Sequence, residues 1–242
     1  MKEKIWFLKR PELFERLSDA ERSRLERRAV MRSFRRGEII YFPTDPGQSV
    51  LVLAQGLVKL KALSPDGKET ILAFVEEGEL FGELALVDEE PRREYAEAAA
   101  DARVIAIPRD DVLALMQQRS DIALYVTRLV GFRRRRIENR LRNLLFRSLR
   151  ERIAALLLEL IDDHGERHGQ AWNIRLRLSH QELASLIGAT REAVSATLSR
   201  LQAEGIVLSQ RRRITVLDRA RLAREVQAEA APFSPRPRIS VR

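Results

Sequence analysis

"LRLSHQELASLIGATREAVSATLSRLQAEGIV", Leu176 to Val207, decides the architecture of the second half of this 242-residue chain. Ser179 and Glu182 stand three residues apart ahead of an apolar run, the capping-box pattern that predicts a helix through Leu186. Gly188 ends that helix, because a glycine takes the left-handed conformation a tight interhelical turn needs. Thr190 then caps a second helix running from Arg191 to about Ala203. Two helices joined by so short a turn form a helix-turn-helix.

The second helix sorts by angle. At about 100° per residue from Arg191, Val194, Leu198 and Leu201 cluster on one side, an apolar face for the core. Glu192, Ser195, Ala196 and Ser199 share the opposite side with Arg191. A small, polar face led by Arg and Glu is what a recognition helix presents to the DNA major groove. Arg191 suits the acceptors of guanine and Glu192 the amino group of cytosine, with Ser195 a third base contact. Ser179, Gln181, Thr190 and Ser199 flank this face, suited to phosphates. "GIVLSQRRRITVL" follows as a β-hairpin, a wing whose tip arginines, Arg211 and Arg212, suit phosphates as well.

Charge agrees with this placement. Residues 1–130 carry −2 and residues 131–242 carry +11 of the formal +9. A basic half suggests a polyanionic partner, here double-stranded DNA. The absence of cysteine excludes disulfides, thiolate metal sites and cysteine nucleophiles. His164 and His168 have the spacing of a metal pair, but Gly165 falls between them and a third ligand is missing. No metal, no cofactor and no enzymatic activity is expected. There is no stretch apolar enough for a signal peptide or a membrane span, so the expected location is cytoplasmic, without a membrane partner.

Ahead of the basic half the grammar changes. A capping box at Ser18 and Glu21 opens a short helix. Apolar runs (EIIYF, VLVLAQG, LVKLKAL, TILAFV, VIAIP) then alternate with Gly37, Gly47, Gly56, Gly67 and Gly78, the rhythm of hairpins in a small all-β roll. After Pro108 come a short helix, 110–118, and a long one, 121–145. Along the long helix Ile122, Val126, Leu129, Phe132, Ile137, Leu141 and Leu144 make an apolar stripe. Left uncovered it predicts a homodimer, with Ile122, Val126, Leu129, Phe132 and Ile137 at the contact; the alternative is packing on the β roll. Within it, most of Arg133 to Arg136 are expected to be solvated, with some free to pair with acidic groups of the roll. Residues 150–163 form another amphipathic helix, and HGERHGQAWN reads as a loop.

The resulting α+β architecture has an N-terminal β-roll domain (1–120), a dimerisation helix (121–145), a winged helix-turn-helix (146–220) and a flexible basic tail (221–242). In that order, with "SHQELASLIGATREAVSATL" and "FGELAL" followed by Pro91-Arg92, it resembles the Crp/Fnr family of bacterial transcription regulators over about residues 15–217. The resemblance implies a homodimer on a near-palindromic operator, and contact with RNA polymerase through residues 167–173. It also implies a cyclic-nucleotide cassette, with an effector pocket at Gly82, Glu83, Leu84, Arg92 and Arg93; Glu83 would take a ribose hydroxyl and Arg92 a cyclic phosphate.

Two departures from the family pattern shape the expectation. A second base-reading arginine is replaced by Ala196, which removes one outer contact. In the cassette, Arg93 and Glu94 stand where small residues belong, and Ile137 and Glu138 stand where hydroxyls would meet the base. A carboxylate beside a phosphate is unfavourable, so the reading is a regulator working without cyclic AMP, its small-molecule effector open. Two alternatives stand: a cyclic-nucleotide-responsive regulator, and an architectural, nucleoid-type DNA protein. A ligand-binding signalling module, with DNA incidental, is a third.

Overall fold

The computed structural model describes residues 17–87 and 90–226. The chain divides between Arg135 and Arg136 into two compact units, so that the long helix contributes to both.

The first unit opens with α1 (Asp19–Arg28), whose N-terminus carries the expected capping box: the Ser18 hydroxyl accepts from the Glu21 amide, and the Glu21 carboxylate accepts from the Ser18 amide. Eight strands follow: β1 (Val30–Phe34), β2 (Ile39–Tyr41), β3 (Ser49–Gln55), β4 (Val58–Leu63), β5 (Glu69–Val75), β6 (Leu80–Phe81), β7 (Tyr95–Ala98) and β8 (Ala102–Pro108). They form two antiparallel sheets, β1-β8-β3-β6 and β2-β7-β4-β5. The apolar runs predict β2, β3, β4, β5 and β8. They miss β1 and β7, which carry charge among their apolar residues, and β6, which is two residues long.

Strand β3 shows why its run is apolar at every position. Val50, Val52 and Ala54 enter a core shared with α1 and the helices that follow β8. Leu51 and Leu53 enter a second core, with Tyr41, Val58, Leu60 and Phe81. A strand buried on both faces has no polar alternation to show.

Helices α2 (Arg109–Gln118) and α3 (Ser120–Phe146) follow as predicted. The stripe on α3, however, is not one surface. Ile122 and Val126 are buried in the β-roll core, and Leu129 packs against it. Ile122 and Val126 are thus covered within the chain itself, and Leu129 partly so. Periodicity identifies an apolar face but not what covers it. Phe132 is half-buried and Ile137 exposed.

The second unit holds the end of α3, then α4 (Leu149–His164), β9 (Gly165–His168), β10 (Ala171–Ile174), α5 (His180–Ile187), α6 (Arg191–Ala203), β11 (Val207–Gln210), β12 (Arg213–Val216) and α7 (Arg219–Glu225). Its sheet runs β11-β12-β10-β9. HGERHGQAWN, read as a loop, is the β9–β10 hairpin joined to the wing strand β12. The tail also begins later than residue 221. Leu222 of α7 is fully buried, and Arg150 on α4 pairs with both Glu225 (2.6 Å) and Glu204 (2.6 Å). The rest of the expected tail, 227–242, lies outside the described residues. Among those described, no helix is long and apolar enough to cross a membrane.

Candidate functional site

In the second unit the local signals of the helix-turn-helix are realised. The Ser179 hydroxyl accepts from the Glu182 amide, Gly188 is left-handed (φ 63°, ψ 50°), and the Thr190 hydroxyl accepts from the Ala193 amide. Val194, Leu198 and Leu201 of α6 are buried. Arg191, Glu192, Ala196 and Ser199 are exposed, and no side-chain partner among the described residues engages Arg191 or Glu192. Both charged groups are free to meet a ligand.

The other expected contacts divide. Ser179 directs both its hydroxyl and its amide to the Glu182 carboxylate, each at 2.8 Å. Phosphate oxygens accept only, so Ser179 has no free donor for one. Gln181 and Ser199 are exposed and keep their donors. Thr190 spends an acceptor lone pair on its cap, and its hydroxyl proton stays available. Ser195 is half-buried: its Oγ lies 2.9 Å from the Arg191 carbonyl and 2.7 Å from Nδ1 of His180, a residue that sequence reasoning did not single out.

At the wing, Gln210 pairs with Arg213 across the two-residue turn Arg211-Arg212. Both turn residues are left-handed (φ 46° and 68°). Such turns favour Asn-Gly, and a side chain there is strained. Arg212 is tied to the Glu182 carboxylate at 2.8 Å, whereas Arg211 is exposed and unpaired among the described residues. The tip therefore offers Arg211 more readily than Arg212.

In the first unit the cassette is folded around its own charges. Gly82 is left-handed (φ 66°) and opens a short 3-10 turn, Glu83–Leu86. A Cβ at Gly82 would lie 2.4 Å from an Arg92 guanidinium nitrogen, so that side chain rests on the glycine itself. Arg92 also donates to the Ser49 carbonyl (2.6 Å) and lies over the Tyr41 ring, 4.1 Å from its centroid. Glu83 is buried and paired with Arg133 of α3, which also donates to the Leu80 carbonyl (2.8 Å). Burial disfavours the Arg133 cation, but the Glu83 carboxylate more than offsets it, and the pKa moves up. Tyr41 donates its hydroxyl to Glu94 at 2.8 Å; burial and the Glu94 charge push the phenol well above its ordinary value.

Two expectations change here. Arg93 is exposed and paired with Glu90 instead of joining Arg92 at Gly82. Leu84 is 44% exposed. The arginine run divides as well. Arg133 turns to Glu83, while Arg136, almost fully buried, pairs with Glu159 and with Asp163 (3.1 Å) of α4. Arg134 and Arg135 are exposed. His164 is buried and His168 exposed, and no group of three or more potential metal ligands occurs among the described residues.

Residues 31–119 match the cyclic nucleotide-binding domain family, and residues 151–225 the Crp-like helix-turn-helix domain family. The chain is 30% identical over 194 residues to the CRP-like cAMP-activated global transcriptional regulator of Mycobacterium tuberculosis, covering 80% of this chain and 87% of that protein. It is 36% identical over 176 residues to the cyclic AMP receptor protein of Thermus thermophilus, covering 73% and 78%. The structure of FixK2 from Bradyrhizobium japonicum superposes with a TM-score of 0.72 at 29% identity, over 84% of this chain and 99% of that one. With a β roll, a long helix and a Crp-like helix-turn-helix in that order, this chain belongs to the Crp/Fnr family of transcription regulators.

Proposed function

We propose that this regulator acts as a homodimer on a two-fold DNA site, with Arg191 and Glu192 reading bases, and that it does so without bound cyclic nucleotide. The observation that carries the DNA reading is the exposed, unpaired Arg191–Glu192 pair at the N-terminus of a capped α6. The dimer is supported by a seam on α3 distinct from the stripe in the core: Leu124, Thr127, Gly131, Arg134, Glu138, Leu141 and Leu145 alternate in steps of three and four. Leu124, Leu141 and Leu145 on it are exposed. Working on chromosomal DNA would place the protein in the cytoplasm. The β9–β10 hairpin, whose Trp172 ring centroid lies 6.0 Å from Arg167 and 5.9 Å from Arg219 of α7, is the surface offered to RNA polymerase.

Nucleotide independence is supported by the Glu83 carboxylate, which Arg133 already occupies, and by Glu94, which Tyr41 holds within the cassette. A nucleotide-responsive reading has its own observation. Arg92 has no carboxylate partner among the described residues, and two relatives carry cyclic AMP in their names.

The deciding experiment is footprinting on genomic DNA, followed by titration of one recovered site against random duplex. A discrete two-fold footprint is expected. Arg191→Ala should lose about 1–3 kcal/mol on the recovered site and much less on random DNA. A diffuse footprint, with equal losses on both DNAs, would support the architectural alternative instead.

A further inference from the structure

We propose that His180 fixes the hydrogen-bond polarity of Ser195, so that α6 reads an exocyclic amino group, adenine N6 or cytosine N4, at one position of each half-site. The inference rests on the reading of α6 as the recognition helix.

His180 is the first residue of α5, and its ring connects three elements. Nδ1 lies 2.7 Å from the Ser195 Oγ on α6, and Nε2 lies 3.3 Å from the Ser209 Oγ on β11. The Ser195 Oγ is also 2.9 Å from the Arg191 carbonyl one turn back. A hydroxyl has one proton. If Ser195 gives it to the carbonyl, the usual arrangement for a helical serine, then His180 donates from Nδ1 to the Oγ. If Ser195 gives it to Nδ1, the proton is again directed into the protein. In both of these arrangements, the ones the observed distances describe, only lone pairs remain for DNA.

In the major groove adenine and cytosine present amino donors, while thymine O4 and guanine O6 and N7 only accept. A serine free to turn its hydroxyl serves either class. Held by His180, Ser195 meets an amino group with a hydrogen bond and a carbonyl with two opposed acceptors. The face then reads in fixed polarities: Arg191 donates, Glu192 accepts, Ser195 accepts and Ala196 is silent. His180 acts through Ser195 and is thus a positioning residue.

The test is selection of the full chain on randomised duplexes, with sequencing of the bound pool. Wild type should enrich adenine or cytosine on one and the same strand at one position per half-site. Ser195→Ala should abolish that enrichment, a change of about tenfold for a single base-edge hydrogen bond, and leave other positions alone. His180→Ala should relax the same position only, admitting thymine and guanine. His180→Asn, whose amide places an N–H near the former Nδ1, should restore it. Replacing a selected adenine by purine lacking the 6-amino group should weaken wild type but not Ser195→Ala. The proposal fails if His180→Ala leaves the selected bases unchanged or weakens every position alike, or if base analogues tested on each strand place the Ser195 contact at the thymine or guanine of the selected pair rather than at its amino partner. If Arg191→Ala also leaves all positions unchanged, the recognition-helix reading itself fails; a position-specific loss there, with Ser195→Ala silent, overturns this proposal alone.

Discussion

Glu97 is a carboxylate whose neighbours define a pH window. It sits on β7 between two lysines of β4, 2.8 Å from Lys59 and 2.5 Å from Lys61, and Lys61 also reaches Glu69 at 2.8 Å. Burial pushes the Glu97 carboxyl up, but the two lysines overcome it and hold the pKa below its ordinary value. Its contribution to stability is therefore complete above the usual glutamate pKa of about 4.3 and is lost as pH falls through the lower folded-state value. Glu97→Gln should be less stable than wild type at neutral pH, and its stability should fall less steeply below about pH 4. Denaturant titrations across about pH 3 to 7 measure both; parallel curves would show that the lysines do not act through this charge. Alternation along LVKLKAL places Lys59 and Lys61 on one face, but the carboxylate they share comes from a strand 36 residues away from Lys61, and only strand register brings it there.

Two elements carry predictions of their own. On α3 the buried residues Ile122 and Val126 and the exposed seam of Leu124, Leu141 and Leu145 occupy different faces. Leu141→Glu with Leu145→Glu should give folded monomers in sedimentation velocity, with weakened operator binding. Leu129→Glu should instead lower the stability of the β roll, because Leu129 packs against its core; a folded monomer from Leu129→Glu would return the dimer interface to the stripe of Ile122, Val126 and Leu129. At the wing, two left-handed arginines hold a turn that Asn-Gly would adopt without strain. Replacing Arg211-Arg212 by Asn-Gly should raise stability by about 1 kcal/mol, since strain of this kind costs about 1–3 kcal/mol per residue and the Arg212–Glu182 pair it removes is partly exposed. The same variant should weaken binding to all DNA sequences and flatten the salt dependence by about 0.9 for each phosphate that is no longer neutralised. Stability gained with DNA binding unchanged would remove the wing from the interface. The hairpin itself was legible from its basic tip between apolar runs. That the tip is strained follows only from the two-residue register.

At the level of the whole molecule the question is whether the β roll senses anything. Cyclic AMP or cyclic GMP at millimolar concentration should give no thermal shift and no change in operator affinity. Arg93 is turned outward, so altering it would not open the cassette; the relevant change is at Arg133. Arg133→Met releases the Glu83 carboxylate and should cost about 3 kcal/mol, because one partner of a buried pair is left alone. It is the variant in which a nucleotide-dependent shift is expected to emerge. Micromolar binding by wild type would mean that Arg133 yields Glu83 to a ligand, and the nucleotide-responsive reading would then stand.

The sequence by itself determined whatever depends on neighbours within a few residues. The caps at Ser18, Ser179 and Thr190, the left-handed turn at Gly188, the polar face of α6 and the basic wing are all set by local hydrogen bonds and backbone sterics. The tertiary structure alone decided which partners meet across the chain. Arg133 reaches Glu83 from 50 residues away, Tyr41 reaches Glu94 from 53, and His180 joins Ser195 and Ser209 from 15 and 29. It also decided that the first turns of the α3 stripe belong to the β-roll core. The reason is that periodicity and capping report a residue's direction, whereas burial and ion pairing depend on what stands opposite, and the packing of sheets and helices chooses that.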